Sequence, residues 1–222
     1  SKAALNVMSG SDMLQDPATG RIIMTGYQYI GSNSASYSSV LFLDSLGNKL
    51  AHKTYNNACG GAAGSIIQSK DSNFLTDARM NVDCNQGIYQ ARLIKIDIDG
   101  KLLWDKLMNP PGPLNSIHPR IEKPNGDIIA MGVVDSSYYT RFKYMIFDAQ
   151  GNVKMQASYG RLNDVFVPDL GRGGSFTSDG GYITAMQVRP QPNPTPFYII
   201  KLDSLGCDTV PWYCEWEKTV AL

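Results

Sequence analysis

Apolar residues in this chain fall in short, strand-sized runs rich in Val, Ile, Tyr, Phe and Thr, and nowhere settle into a helical period. Four of the runs close on the same acidic turn. They are Val40-Leu41-Phe42-Leu43-Asp44-Ser45-Leu46-Gly47, Leu93-Ile94-Lys95-Ile96-Asp97-Ile98-Asp99-Gly100, Tyr144-Met145-Ile146-Phe147-Asp148-Ala149-Gln150-Gly151 and Tyr198-Ile199-Ile200-Lys201-Leu202-Asp203-Ser204-Leu205-Gly206. Their closing glycines are 53, 51 and 55 residues apart (47 to 100, 100 to 151, 151 to 206). A second motif recurs in phase: Thr19-Gly20-Arg21-Ile22, Ser72-Asn73-Phe74, Asn125-Gly126-Asp127-Ile128 and Asp179-Gly180-Gly181-Tyr182. Two motifs in register over four copies define an internal repeat.

Each copy resolves into four short strands. In the second copy these are expected over 65–69, 74–80, 90–96 and 101–107. The Gly and Asp/Asn residues between them are tight-hairpin chemistry. Four strands per repeat of this length predict an all-β fold, a β-propeller of four-stranded antiparallel blades. The blades are placed at about 11–56, 63–108, 116–159 and 172–220 of a single region, 1–222. Residues 1–10 resemble an outer strand and are assigned to a neighbouring or closing blade. With Trp212–Val220 read as the fourth blade's own outer strand, a closed four-blade ring has one strand too many, so a larger propeller is expected.

At Ser175-Phe176-Thr177-Ser178-Asp179-Gly180-Gly181-Tyr182-Ile183, followed by Phe197–Gly206, the sequence resembles the propeller repeats of secreted Bacteroidota proteins. There a "TSDGGYI" segment precedes a "KLDSxG" turn and a Trp on the outer strand, the place Trp104 takes after Gly100. The resemblance covers nearly the whole chain and is closest in the fourth copy. It implies export by the type IX system, and a place outside the cell or on the outer-membrane exterior of a Gram-negative bacterium. It carries no single activity. Sialidase Asp-boxes differ, because Ser178-Asp179-Gly180-Gly181 lacks their spacer and Trp.

Composition narrows the partners. Twenty basic and 20 acidic residues leave 222 residues with no net charge, and charged residues are only 18%. That removes the electrostatic term behind nucleic-acid binding and argues against a polybasic membrane anchor. No apolar run reaches the roughly 18 residues of a membrane span, so no direct membrane insertion is expected. The four cysteines, Cys59, Cys84, Cys207 and Cys214, are expected to form disulfides. Cys59–Cys84 with Cys207–Cys214 is the simplest of three pairings. Neither spacing suits a metal, and His52 and His118 are remote from each other, so no metal or cofactor is expected. Ser1–Ala4 begins no apolar signal segment, so a secreted protein would be represented here by its mature form or a part of it.

Topology then places a candidate surface. Turns between the first and second strands, and between the third and fourth, are short, so the remaining, longer loops gather on one face. They are expected to hold Tyr27, Tyr29, Tyr37, Tyr89, Tyr138, Tyr139 and Arg141, side chains suited to protein or sugar recognition. The inner strands line the channel with Asp12, His118, Arg120, Glu122 and Arg172. His118 has the chemistry of a general base, but no acidic partner recurs with it in sequence. Asp97-x-Asp99-Gly100 hints at calcium, yet its first Asp recurs in every copy, which marks an Asp capping its own turn. With no catalytic constellation in view, the expected function is a non-catalytic, extracellular or cell-surface scaffold binding protein or glycan through the long-loop face. The alternatives are a carbohydrate-active enzyme with its site at the channel mouth, and a subunit or cargo of a surface-assembly or secretion machine joined to further blades or subunits.

Overall fold

The computed structural model describes residues 8–29, 36–55, 61–83, 88–108, 114–136, 139–159, 174–187, 197–203 and 215–216. All the regular structure among them is antiparallel strand. The first sheet holds β1 (Met8–Gln15), β2 (Ile22–Tyr29), β3 (Ser36–Leu43) and β4 (Lys49–Thr54) in chain order. The second repeats this with β5 (Gly61–Gln68), β6 (Phe74–Asp83), β7 (Ile88–Ile96) and β8 (Leu102–Leu107). The third has β9 (Leu114–Glu122), β10 (Ile128–Ser136), β11 (Tyr139–Phe147) and β12 (Val153–Tyr159), and the fourth has β13 (Gly174–Phe176), β14 (Tyr182–Gln187) and β15 (Phe197–Leu202).

The turns follow from side-chain chemistry. Asp44 Oδ1 accepts the amides of Leu46 and Asn48 at 2.9 and 2.8 Å. Asp97 Oδ1 does the same for Asp99 and Lys101, and Asp148 Oδ1 for Gln150 and Asn152. Each carboxylate thus closes its own hairpin, and the glycine that follows takes φ near +80°.

Between sheets lie three apolar seams. Ile23, Val40 and Phe42 of the first sheet bury against Ile66, Phe74, Ile94 and Ile96 of the second. Leu75, Leu93 and Met108 bury against Ile117, Ile128, Met145 and Phe147 of the third. Ile129, Met131, Tyr144 and Ala157 bury against Tyr182 and Leu202 of the fourth. Sheets packed face to face in chain order, each with its first strand innermost, are the blades of a β-propeller.

Two expectations about the chain ends are corrected. Residues 8–10 do not belong to a neighbouring blade: they begin β1, with Met8 opposite Gln28 and Gly10 opposite Gly26. A bulge between Gly10 and Asp12 lets this inner strand run on past the position where the repeat pattern ends it. Nor do residues 215–216, the described part of the segment 212–220, join the fourth sheet. Glu215–Trp216 (β16) pairs with Ser158 and Ala157 of β12, on the outer edge of the third sheet, whose backbone groups would otherwise be open.

Candidate functional site

All three described inner strands of full length are bulged within a short window. The shifts lie between Gly10 and Asp12 in β1, between Ala63 and Ile66 in β5, and between Pro119 and Ile121 in β9. In β5 the bulge sets Gly64 and Ser65 against the single residue Asp77 of β6. This turns the Ser65 amide and hydroxyl onto Asp77 Oδ1, at 2.6 and 2.8 Å. The same oxygen lies 3.1 Å from His118 Nδ1, across the seam on β9.

Gly64 makes that approach possible. A Cβ there would stand 2.6 Å from Asp77 Oδ2 and 2.7 Å from His118 Nδ1. Asp77 is 3% exposed, and the His118 side chain 12%. A carboxylate at Nδ1 accepts from a proton there, and in the neutral ring Nε2 then carries the lone pair. Nε2 is buried with no hydrogen-bond partner among the described residues. A ring nitrogen held ready by an acidic neighbour is the arrangement of an oriented base.

Asp12, exposed on β1, reaches the same bulge. Its Oδ2 accepts the Ile66 amide at 3.2 Å, next along β5 from the Ser65 amide that Asp77 takes. One open and one closed carboxylate thus grip consecutive amides of the same bulge. Glu122 is used otherwise: its Oε2 accepts Ser69 Oγ at 2.5 Å and Lys70 N at 2.8 Å, a tie between the third and second sheets.

The structure redistributes the other sequence candidates. Tyr27 and Tyr29 lie on β2, Tyr37 on β3, Tyr89 on β7, and Tyr139 and Arg141 on β11, so these six are strand residues and not loop residues. The hairpins pair further than their sequence suggests, β6 and β7 as far as Asp83 opposite Ile88. The rings of Tyr27 and Tyr29 meet edge to face at 5.5 Å, and Tyr29 is 55% exposed. Arg120 lies on β9 and acts electrostatically on Tyr182 of the fourth sheet. Tyr138, Arg172 and the four cysteines lie outside the described residues. His118 lies on β9 of the third sheet and the tyrosine pair on β2 of the first.

Asp77, Ser65 and Asp12 supply what sequence reading of His118 lacked. Asp77 had one visible signal, a carboxylate in mid-strand between Phe74 and Met80, where acids are depleted.

The fold has counterparts among solved structures. A Bacteroides caccae protein of unknown function matches over 97% of this chain and 69% of its own, with a TM-score of 0.51 and 13% identity. An exo-β-1,3-galactanase from Phanerochaete chrysosporium matches at TM-score 0.54 and 13% identity, over 89% of this chain and 47% of that one. A proposed exo-β-1,3-galactanase from Bifidobacterium bifidum matches at TM-score 0.51 and 15% identity, over 96% and 72%. The chain therefore spans about half the length of the Phanerochaete enzyme. The likeness is one of fold, and that fold is the β-propeller. No protein family matches the sequence, and neither does any curated protein.

Proposed function

We propose that this propeller acts on carbohydrate, with its site where the bulged inner strands of the first three sheets meet. The observation that carries the reading is His118 Nε2, buried and unpartnered among the described residues while Asp77 holds Nδ1. In this reading His118 moves a proton, Asp77 orients and stabilises its ring, and the exposed Asp12 is the second acid–base group. Hydrolysis adds water across a glycosidic C–O bond. One group takes the proton of the attacking water while the other protonates the departing oxygen. The galactanases of like fold support a β-linked galactan as the first substrate to try. Export by the type IX route, and disulfides among Cys59, Cys84, Cys207 and Cys214, belong to the same proposal and rest on the sequence alone.

A second reading has its own observation. The exposed Tyr29, with the half-buried Tyr27 against it, offers an aromatic surface on which a sugar or peptide can rest without being cleaved. One experiment separates the two. Purified chain is incubated with β-1,3-galactan oligosaccharides, and both binding and new reducing ends are measured. The proposal expects cleavage that His118→Ala and Asp77→Asn each lower at least 100-fold. Binding without cleavage, lost in Tyr29→Ala and kept in His118→Ala, would establish the second reading instead.

A further inference from the structure

The first two seams between sheets repeat the same contacts, and the first sheet presents one half of them with nothing opposite among the described residues. At the seam of the first and second sheets, Gln68 Nε2 donates to Asp16 Oδ1 at 2.7 Å. Glu122, the residue in the same register position, ties the third sheet to the second. Gly100 lies so close to the first sheet that a Cβ would come 2.8 Å from the Phe42 ring. Gly151 lies equally close to Trp104 of the second sheet, 2.9 Å. Asp99 reaches back to Arg21 at 2.9 Å. Ile66, 5% exposed, fills the seam beneath.

The first sheet carries the same positions. Gln15 corresponds to Gln68 and folds onto Gly20 O of its own turn, at 3.1 Å. Gly47 corresponds to Gly100 and Gly151, and a Cβ there would meet nothing within 4 Å. Met13 corresponds to Ile66 and is 66% exposed; Leu46 corresponds to Asp99 and is 85% exposed. The fourth sheet holds the other half. Ile183 stands in the place of Ile23, Leu75 and Ile129, all fully buried against a following sheet, yet it is only half-buried.

We infer that the first sheet is a docking surface for the fourth sheet of a second copy of this chain, built on the seam already present three times within one copy. The two halves are different surfaces, so the contact is head-to-tail. Two such contacts join two copies of four sheets into eight, within the size range of closed propellers. The occupant's chemistry is set by the seam: an apolar residue at the place of Ile183, and a bulky side chain that closes over Gly47 as Phe42 and Trp104 close over Gly100 and Gly151.

The test is sedimentation equilibrium of the chain over a 100-fold concentration range, with Met13→Glu/Leu46→Glu and Gln15→Ala as variants. The wild type is expected to reach twice its 24.3 kDa mass at high concentration. The double variant should remain a monomer, and Gln15→Ala should weaken association about tenfold. A circular dichroism spectrum and melting temperature matching the wild type certify that a variant is folded. Gln15→Ala still decides the matter if the double variant is not folded. A wild-type chain that stays monomeric throughout, including one that closes its fourth sheet on its own first sheet, overturns the inference. So does a dimer that a folded double variant leaves unchanged, or that Gln15→Ala does not weaken where it alone decides.

Discussion

At residue scale, the turns carry information that outlasts the repeat's divergence. The first-to-second-strand turns hold Gly20, Ser72, Gly126 and Gly180 at positive φ, so Ser72 keeps a left-handed conformation without glycine's freedom. Ser72→Gly should therefore stabilise the fold. Relief of roughly 1–2 kcal/mol of backbone strain, offset by about 0.5–1 kcal/mol of added chain entropy, leaves a net gain of about 0.5–1 kcal/mol. Calorimetry should register it as a rise of about 1–4 °C in Tm. Beside it, burial pushes the Asp71 carboxyl up, but Lys95 Nζ at 2.7 Å, with Asn73 and Ser69, holds it down at about 2. Its ordinary value is 3.8. A group lowered on folding contributes stability that is complete above its unfolded value and disappears as pH falls through its folded one. Urea titrations between about pH 5 and pH 2 should thus show the stability advantage of wild type over Asp71→Asn shrinking with acidity. A constant gap would place the role of Asp71 outside this ion pair.

At the scale of elements, much of the strand order and turn placement was legible because both rest on local chemistry: Asp and Gly at fixed offsets, and apolar runs between them. Strand ends were less so. β6 and β7 pair through Asn81 and Asp83, polar residues that no alternation marks. The bulges were not legible at all, since a bulge is a mismatch between two strands and neither strand shows it alone. The candidate site depends on one of them. His118 was in view from the start, but Asp77 lies 41 residues away and reaches it only across a seam. The seams themselves can be probed by a matched pair of substitutions. Gly47→Ala and Gly151→Ala share the strain of positive φ, about 1–2 kcal/mol. Only the second drives a Cβ into Trp104. Chemical denaturation should find Gly151→Ala worse by a further 1–3 kcal/mol or so. Equal losses would mean that Trp104 yields without cost.

For the whole molecule, the seams do two things at once. They bury the apolar faces of successive sheets, and at the second seam they bring a carboxylate of one sheet to an imidazole of the next. The proposed chemistry is therefore a property of the stack and of no single blade. It would be lost by any change that shifts the third sheet against the second, including a side chain at Gly64. The chain holds only two histidines, His118 in the candidate site and His52 on β4 of the first sheet, so each serves as the other's control. The most direct measurement is NMR of the two imidazole rings during titration with a β-1,3-galactan oligosaccharide. The His118 ring resonances should shift in a saturable way while those of His52 stay in place. Unchanged His118 resonances, at sugar concentrations where Tyr29 or any other residue reports binding, would contradict it.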